Sequence, residues 1–174
     1  MPNMTLLPDD TGLASSNWVA VGEATRHECL DDNNANTSYV TCSAPGRSMI
    51  IEFADPPVAE GDIGSITSVQ FISSARSAQR GSDSLVDIAF QVPSGHSETA
   101  TYPNTGVATF TTVYGTVRTQ TPAGANWTYA NVEDLEMICT KNGSVNVWLG
   151  YLALKVQYTE AVSADNATFF GANF

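Results

Sequence analysis

Near its C-terminal end the chain alternates between two kinds of residue. Leu152, Leu154, Val156 and Tyr158 interleave with Ala153, Lys155, Gln157 and Thr159. A period of two is what a strand shows when one side is buried and the other is wet. Just upstream, Val145, Val147 and Leu149 carry the opposite parity. The switch falls at Gly150, which predicts a bulge that turns both apolar sets toward one core.

The same alternation recurs along the chain. Met49, Ile51 and Phe53 share a face of Ser48–Phe53, which Asp55-Pro56-Pro57 brings to an end. Val69 and Phe71 share a face of a long strand over Ile63–Ser74, and Val86, Ile88, Phe90 and Val92 share one of Leu85–Val92. Shorter strands are expected at 17–21, 38–41, 96–102 and 108–117. Turn residues separate them at Pro93-Ser94-Gly95, at Pro103-Asn104-Thr105-Gly106 and at Thr121–Asn126. Asn131-Val-Glu-Asp resembles a capping box and predicts one or two helical turns over Val132–Ile138.

Turn signals at this spacing predict an all-β chain folded as a single antiparallel β-sandwich of about eight strands. The expected core is Met49, Ile51, Phe53, Val69, Phe71, Val86, Ile88, Phe90, Trp148, Leu152, Leu154 and Val156. Residues 1–15, held extended by Pro2 and Pro8, are expected to form an N-terminal arm. Residues 16–160 would form the sandwich and 161–174 a C-terminal arm. No internal repeat or linker divides the 174 residues further.

Only 14% of the residues are charged, and the net charge is −11. Seven scattered basic residues cannot supply the clustered Lys and Arg that a phosphate backbone or an anionic membrane requires. Neither nucleic acid nor a membrane is an expected partner. The first residues lack a basic segment followed by an apolar one, so synthesis in a cytoplasm without a signal peptide is expected.

Candidate chemistry is sparse. Cys29, Cys42 and Cys139 form no C-x-x-C pair and read as reduced, buried thiols, with a Cys29–Cys42 bridge as the alternative. His27 and His96 sit in no nucleophilic constellation, and there is no G-x-S-x-G turn. Asp32, Asn34 and Asn36 have the opening spacing of a calcium loop. Thr37 and Ser43 stand where such a loop needs glycine and a bidentate glutamate. A looser calcium site shared with another loop stays open beside the simpler polar-loop account. Glu133, Asp134 and Glu136 are better explained by a helix dipole than as a hydrolytic pair across a cleft. Of Trp18, Trp127 and Trp148, only Trp127 is a candidate for an exposed sugar-stacking ring, against core anchoring. No metal and no cofactor is expected.

Several segments, in order, resemble β-sandwich structural proteins of tailed bacteriophages. They are P-D-D-T-G at Pro8–Gly12, N-W at Asn17–Trp18 and T-S-Y-V at Thr37–Val40 after an acidic, Asn-rich loop. The Ile66–Phe71 strand, P-A-G-A-N-W-T at Pro122–Thr128, V-E-D-L-E at Val132–Glu136 and the strand ending at Tyr158 follow. This resemblance covers most of residues 8–158. It implies a jelly-roll-like sandwich that serves as a virion component on the capsid exterior.

The tail beyond Tyr158 departs from that pattern and carries Phe169, Phe170 and Phe174. Each phenylalanine buried against a partner would contribute about 1.5–3 kcal/mol. Leu6 and Leu7 pose the same question at the other end. Either the ends fold back on their own sandwich, or they anchor the chain to a partner. The leading expectation is a non-enzymatic decoration or cement protein, its partners being the major capsid protein and copies of itself in a homotrimer. The alternative is a tail- or fibre-associated carbohydrate-binding module, which needs exposed aromatic rings. A glycan-modifying enzyme would need carboxylates facing one another across a cleft.

Overall fold

The structure is a computed structural model and describes residues 1–14, 17–32, 36–77, 86–91, 99–101 and 110–162. Among them are eleven strands: β1 (Asn3–Leu6), β2 (Pro8–Ala14), β3 (Trp18–Val21), β4 (Tyr39–Cys42), β5 (Ser48–Phe53), β6 (Ile63–Ser77), β7 (Val86–Gln91), β8 (Thr99–Thr101), β9 (Thr111–Tyr114), β10 (Glu136–Lys141) and β11 (Val147–Glu160). Among the described residues helix is confined to the short turns α1 (Glu28–Asp31) and α2 (Tyr129–Glu133) and a 3-10 turn at Glu60–Asp62.

The strands form two antiparallel sheets. One runs β3-β4-β11-β6-β9, with β1 also paired to β11; the other runs β2-β5-β10-β7-β8. The chain passes repeatedly from one sheet to the other, giving the all-β, jelly-roll-like sandwich expected from the sequence. Between the sheets lies one apolar core. Phe71 of the first sheet meets Phe90 of the second edge to face at 5.9 Å, and Phe90 meets Trp127 in the same way at 6.3 Å. Such ring pairs add about 0.5–1.5 kcal/mol each beyond the area they bury.

β11 and β6 form the spine, paired from Val147–Ser77 to Glu160–Ile63. Their register slips between Leu149 and Tyr151, at the bulge that Gly150 predicts. Val147 and Leu149 before it, and Leu152, Leu154 and Val156 after it, are all buried. Every expected core residue is buried except Trp148. Its neighbours Val147 and Leu149 point inward, so the pleat turns its indole to the outer side, where it is half-buried.

Two further expectations are corrected. Of the expected arm 1–15, the described residues 1–14 are not free. Met4 and Leu6 are buried, and Asn3–Leu6 pairs with Gln157–Leu154, so β1 is part of the sandwich. Leu7, at the crossing to β2, is 38% exposed. The helical turn begins earlier than Val132: Thr128 caps α2 through the Asn131 amide, and the Asn131 side chain bonds back. Glu136–Lys141 is then free to become β10, the central strand of the second sheet. Ahead of β4, Cys29 and Leu30 plug one edge of the core from the turn α1.

Candidate ligand-binding face

The outer side of an antiparallel sheet is ordinarily polar. Here the first sheet turns outward one ring after another. Trp148 of β11 stands directly across from Arg76 of β6. Tyr39 comes from β4, and Phe110 precedes β9. The three rings surround the guanidinium, whose carbon lies 4.7 Å from the centroid of Phe110, 5.0 Å from Trp148 and 5.7 Å from Tyr39. Tyr39 and Phe110 are themselves 6.3 Å apart. A cation held over several faces fixes them in place, at about 0.5–1 kcal/mol per exposed contact.

Tyr151 follows Trp148 by three residues. On a regular strand that spacing would send the two rings to opposite sides; the extra residue at Gly150 restores them to one side. Burial, and next to it the neighbouring Tyr114, push the Tyr151 phenol above its ordinary value. Tyr114 of β9 is 64% exposed, and Val19 of β3 is 51% exposed. The small residues of this side, Ser74 and Ala153, are buried.

Further along, the side becomes polar. The Ser68 hydroxyl donates to Gln157 at 3.0 Å, Ser65 and Thr159 share a hydrogen at 2.8 Å, and the Gln70 amide donates to the Gly115 carbonyl at 2.7 Å. Lys155 projects between Thr5 and Gln70, its cross-strand neighbours. The result is an aromatic half joined to a half rich in amides and hydroxyls. That pairing suits a ligand with apolar C–H faces and many hydroxyl groups.

A second feature lies on the other sheet. A groove of about 650 Å³ is lined by Asp9, Asp10, Glu52, Asp55, Glu133, Asp134 and Glu136, with Gln91, Phe53 and Leu135. Glu136 stands across from Glu52 on the neighbouring strand. Burial, and then the Glu52 charge, push its carboxyl above the usual value. Glu133 and Asp134 sit at the C-terminal end of α2, where the helix dipole opposes their charge, so the dipole account from the sequence fails. Among the groove's lining residues there is no Arg, Lys or His, and Phe53 is 7% exposed, so nothing there offers a ring for stacking.

The remaining sequence candidates fall elsewhere. Trp127 is buried, and its indole donates to the Arg118 carbonyl at 3.0 Å, as core anchoring requires. Trp18 is likewise internal and donates to the Arg47 carbonyl. His27 is half-buried, 3.2 Å from the Thr25 hydroxyl. His96, Asn34, Phe169, Phe170 and Phe174 lie outside the described residues. The three cysteines are buried and unbridged; burial pushes the Cys139 thiol up to about 12. Lys141, on the inner side of β10, is fully buried, and its ammonium donates to the carbonyls of Asn142 and Gly143 at 2.9 and 2.7 Å. Burial lowers its affinity for the proton. Among the described residues no helix is long and apolar enough to cross a membrane.

No family model and no curated protein matches the chain. Among solved structures it is similar to a family two carbohydrate esterase from Cellvibrio japonicus at 13% identity and a TM-score of 0.35. That match covers 92% of this chain but 36% of the esterase, so the chain spans about a third of that protein's length. It is also similar to a structure described as "CBM4 structure and function", at 15% identity and a TM-score of 0.35, covering 83% of this chain and 95% of the other. Likeness at that level carries no weight for function, and the sheet itself must supply the argument.

Proposed function

We propose that this chain is a non-catalytic carbohydrate-binding module that holds a glycan on the outer side of its six-stranded sheet. The observation that carries this reading is the set of aromatic residues Trp148, Tyr39, Phe110, Tyr151 and Tyr114, displayed where a sheet normally shows polar residues. Aromatic rings stack on the C–H faces of sugars. Gln157, Gln70 and the serines beside them supply donors and acceptors for hydroxyls. The decoration or cement reading drew on the phage resemblance, the negative charge and the sparse chemistry, and its anchoring contacts were two apolar arms. Leu6 is occupied within its own core, and the phenylalanine tail lies outside the described residues. A module of this kind still fits a virion surface, where holding a host glycan is a sufficient task.

The acidic groove supports hydrolysis less well. Its carboxylates repel one another, and the groove offers no ring or cation to hold a sugar between them. The test is retardation of the purified chain in gels containing soluble polysaccharides, with Trp148→Ala and Tyr151→Ala as variants and a reducing-sugar assay alongside. Retardation that disappears in the folded variants, with no sugar released, is expected. Binding that is unchanged in both variants would refute the reading.

A further inference from the structure

The chain carries 18 acidic residues against seven basic ones, and among the described residues the two sheets do not share the acids evenly. Among the six strands of the first sheet the only Asp or Glu is Glu160, the last residue of β11. The outward positions of that sheet instead carry two cations, Arg76 in the aromatic half and Lys155 in the polar half. On the second sheet Asp10, Glu52, Asp87 and Glu136 point outward, and Asp9, Asp55, Glu133 and Asp134 ring the groove beside them. A neutral ligand would place no demand on charge and gives no reason for this segregation.

Resting on the glycan-binding reading, we infer that the ligand is an acidic polysaccharide whose sugars carry carboxylates, lying along β11 from Trp148 to Lys155. Those residues are seven positions apart with one bulge between them, so they are separated by roughly 20 Å. That is the reach of a chain of sugars rather than a single one. Both cross-strand neighbours of Lys155 are uncharged, so its ammonium faces no competing carboxylate from either side.

The net charge of −11 would seem to forbid a polyanion, and distance decides the matter. Packed sheets lie about 10 Å apart, and the carboxylates of the second sheet point away from the first. At 0.15 M salt the Debye length is about 8 Å, so the acidic side is screened from a ligand on the far side. At 0.01 M it is about 30 Å, and the whole charge is felt. Affinity for an acidic glycan should therefore rise between these salt concentrations and fall again near 1 M, where the direct contact with Lys155 is screened as well.

The experiment compares oligogalacturonates with their methyl-esterified forms, which keep the shape and lose the charge. Binding is measured by calorimetry at 0.01, 0.15 and 1 M salt for the native chain, Lys155→Gln and Lys155→Arg. The inference expects a salt maximum for the acidic form only and a two- to fivefold preference for it at 0.15 M. The preference should be lost in Lys155→Gln and retained in Lys155→Arg. Equal binding of both forms, without a salt maximum, overturns the inference and leaves the glycan-binding reading standing. Binding of neither form, together with an unaltered gel profile for Trp148→Ala, removes both. Sedimentation settles the other occupant: a dimer that Tyr114→Arg converts to monomer would assign the face to a second copy and also overturn the inference.

Discussion

Replacing Gly115 by alanine tests how tightly the two sheets are joined beneath the proposed binding face. Gly115 is buried just after β9; its amide donates to the Phe71 carbonyl at 2.9 Å, and its own carbonyl accepts from Gln70. A methyl group there would stand 2.3, 2.5 and 2.7 Å from three atoms of the Phe71 ring. Ordinary carbon contacts are about 3.5–4.0 Å, so the ring must retreat by about 1.5 Å. It has little room to do so, being 3% exposed and edge-on to Phe90, which in turn meets Trp127. Overpacking of this kind costs about 1–3 kcal/mol. For a chain of this length that lowers Tm by about 2–12 °C. Urea titration followed by tryptophan fluorescence reads the change. A second variant makes the test specific: with Phe71→Leu already in place the methyl group has space, and Gly115→Ala should cost under about 0.5 kcal/mol. An equal cost with and without Phe71→Leu would show that the ring is not what the methyl group meets.

Two further outcomes rest on the burial of Leu6 and the pairing of Glu136 with Glu52. Leu6→Ala should cost about 2–5 kcal/mol by urea titration, and Leu7→Ala less than about 0.5 kcal/mol; a mild effect at Leu6 would return β1 to the status of an arm. Glu136, raised above its ordinary value, contributes stability below the unfolded value of about 4.3 and loses it as pH rises through the folded one. Glu136→Gln should therefore gain about 0.2–1 kcal/mol at pH 7, a gain that vanishes at pH 4; a gain of equal size at both would refute the repulsion with Glu52.

Much of the sandwich was readable because its central strands each bury one side. Ser48–Phe53 matches its expected span residue for residue, and the parity change at Gly150 located a real bulge. The same parity should have sent Trp148 outward; its size and apolarity argued for the core, and its place in the pleat prevailed. β10 was hidden because its inward positions end in a lysine, which reads as surface until its stem is seen packed and its ammonium spent on turn carbonyls. β1 was hidden for another reason. Pro2 and Pro8 flank it, and its partner lies at the far end of the chain, where no local pattern reaches. The proposed binding face has that difficulty throughout: Tyr39, Arg76, Trp148 and the Phe110–Tyr114 stretch come from separated parts of the chain, and none carries a motif of its own.

The pairing of β1 with β11 also sets an order of events at the ribosome. Leu6 is made 148 residues before its partner Leu154. At roughly 5–20 residues per second, Met4 and Leu6 wait about 7–30 s for the strand that will cover them. During that interval the slot beside the second half of β11 does not yet exist, and the other strands can pair without it. A neighbouring nascent chain that completes first offers the same slot to the same four residues. Concentrated synthesis should therefore yield a fraction of dimers that have exchanged β1 across the single residue Leu7.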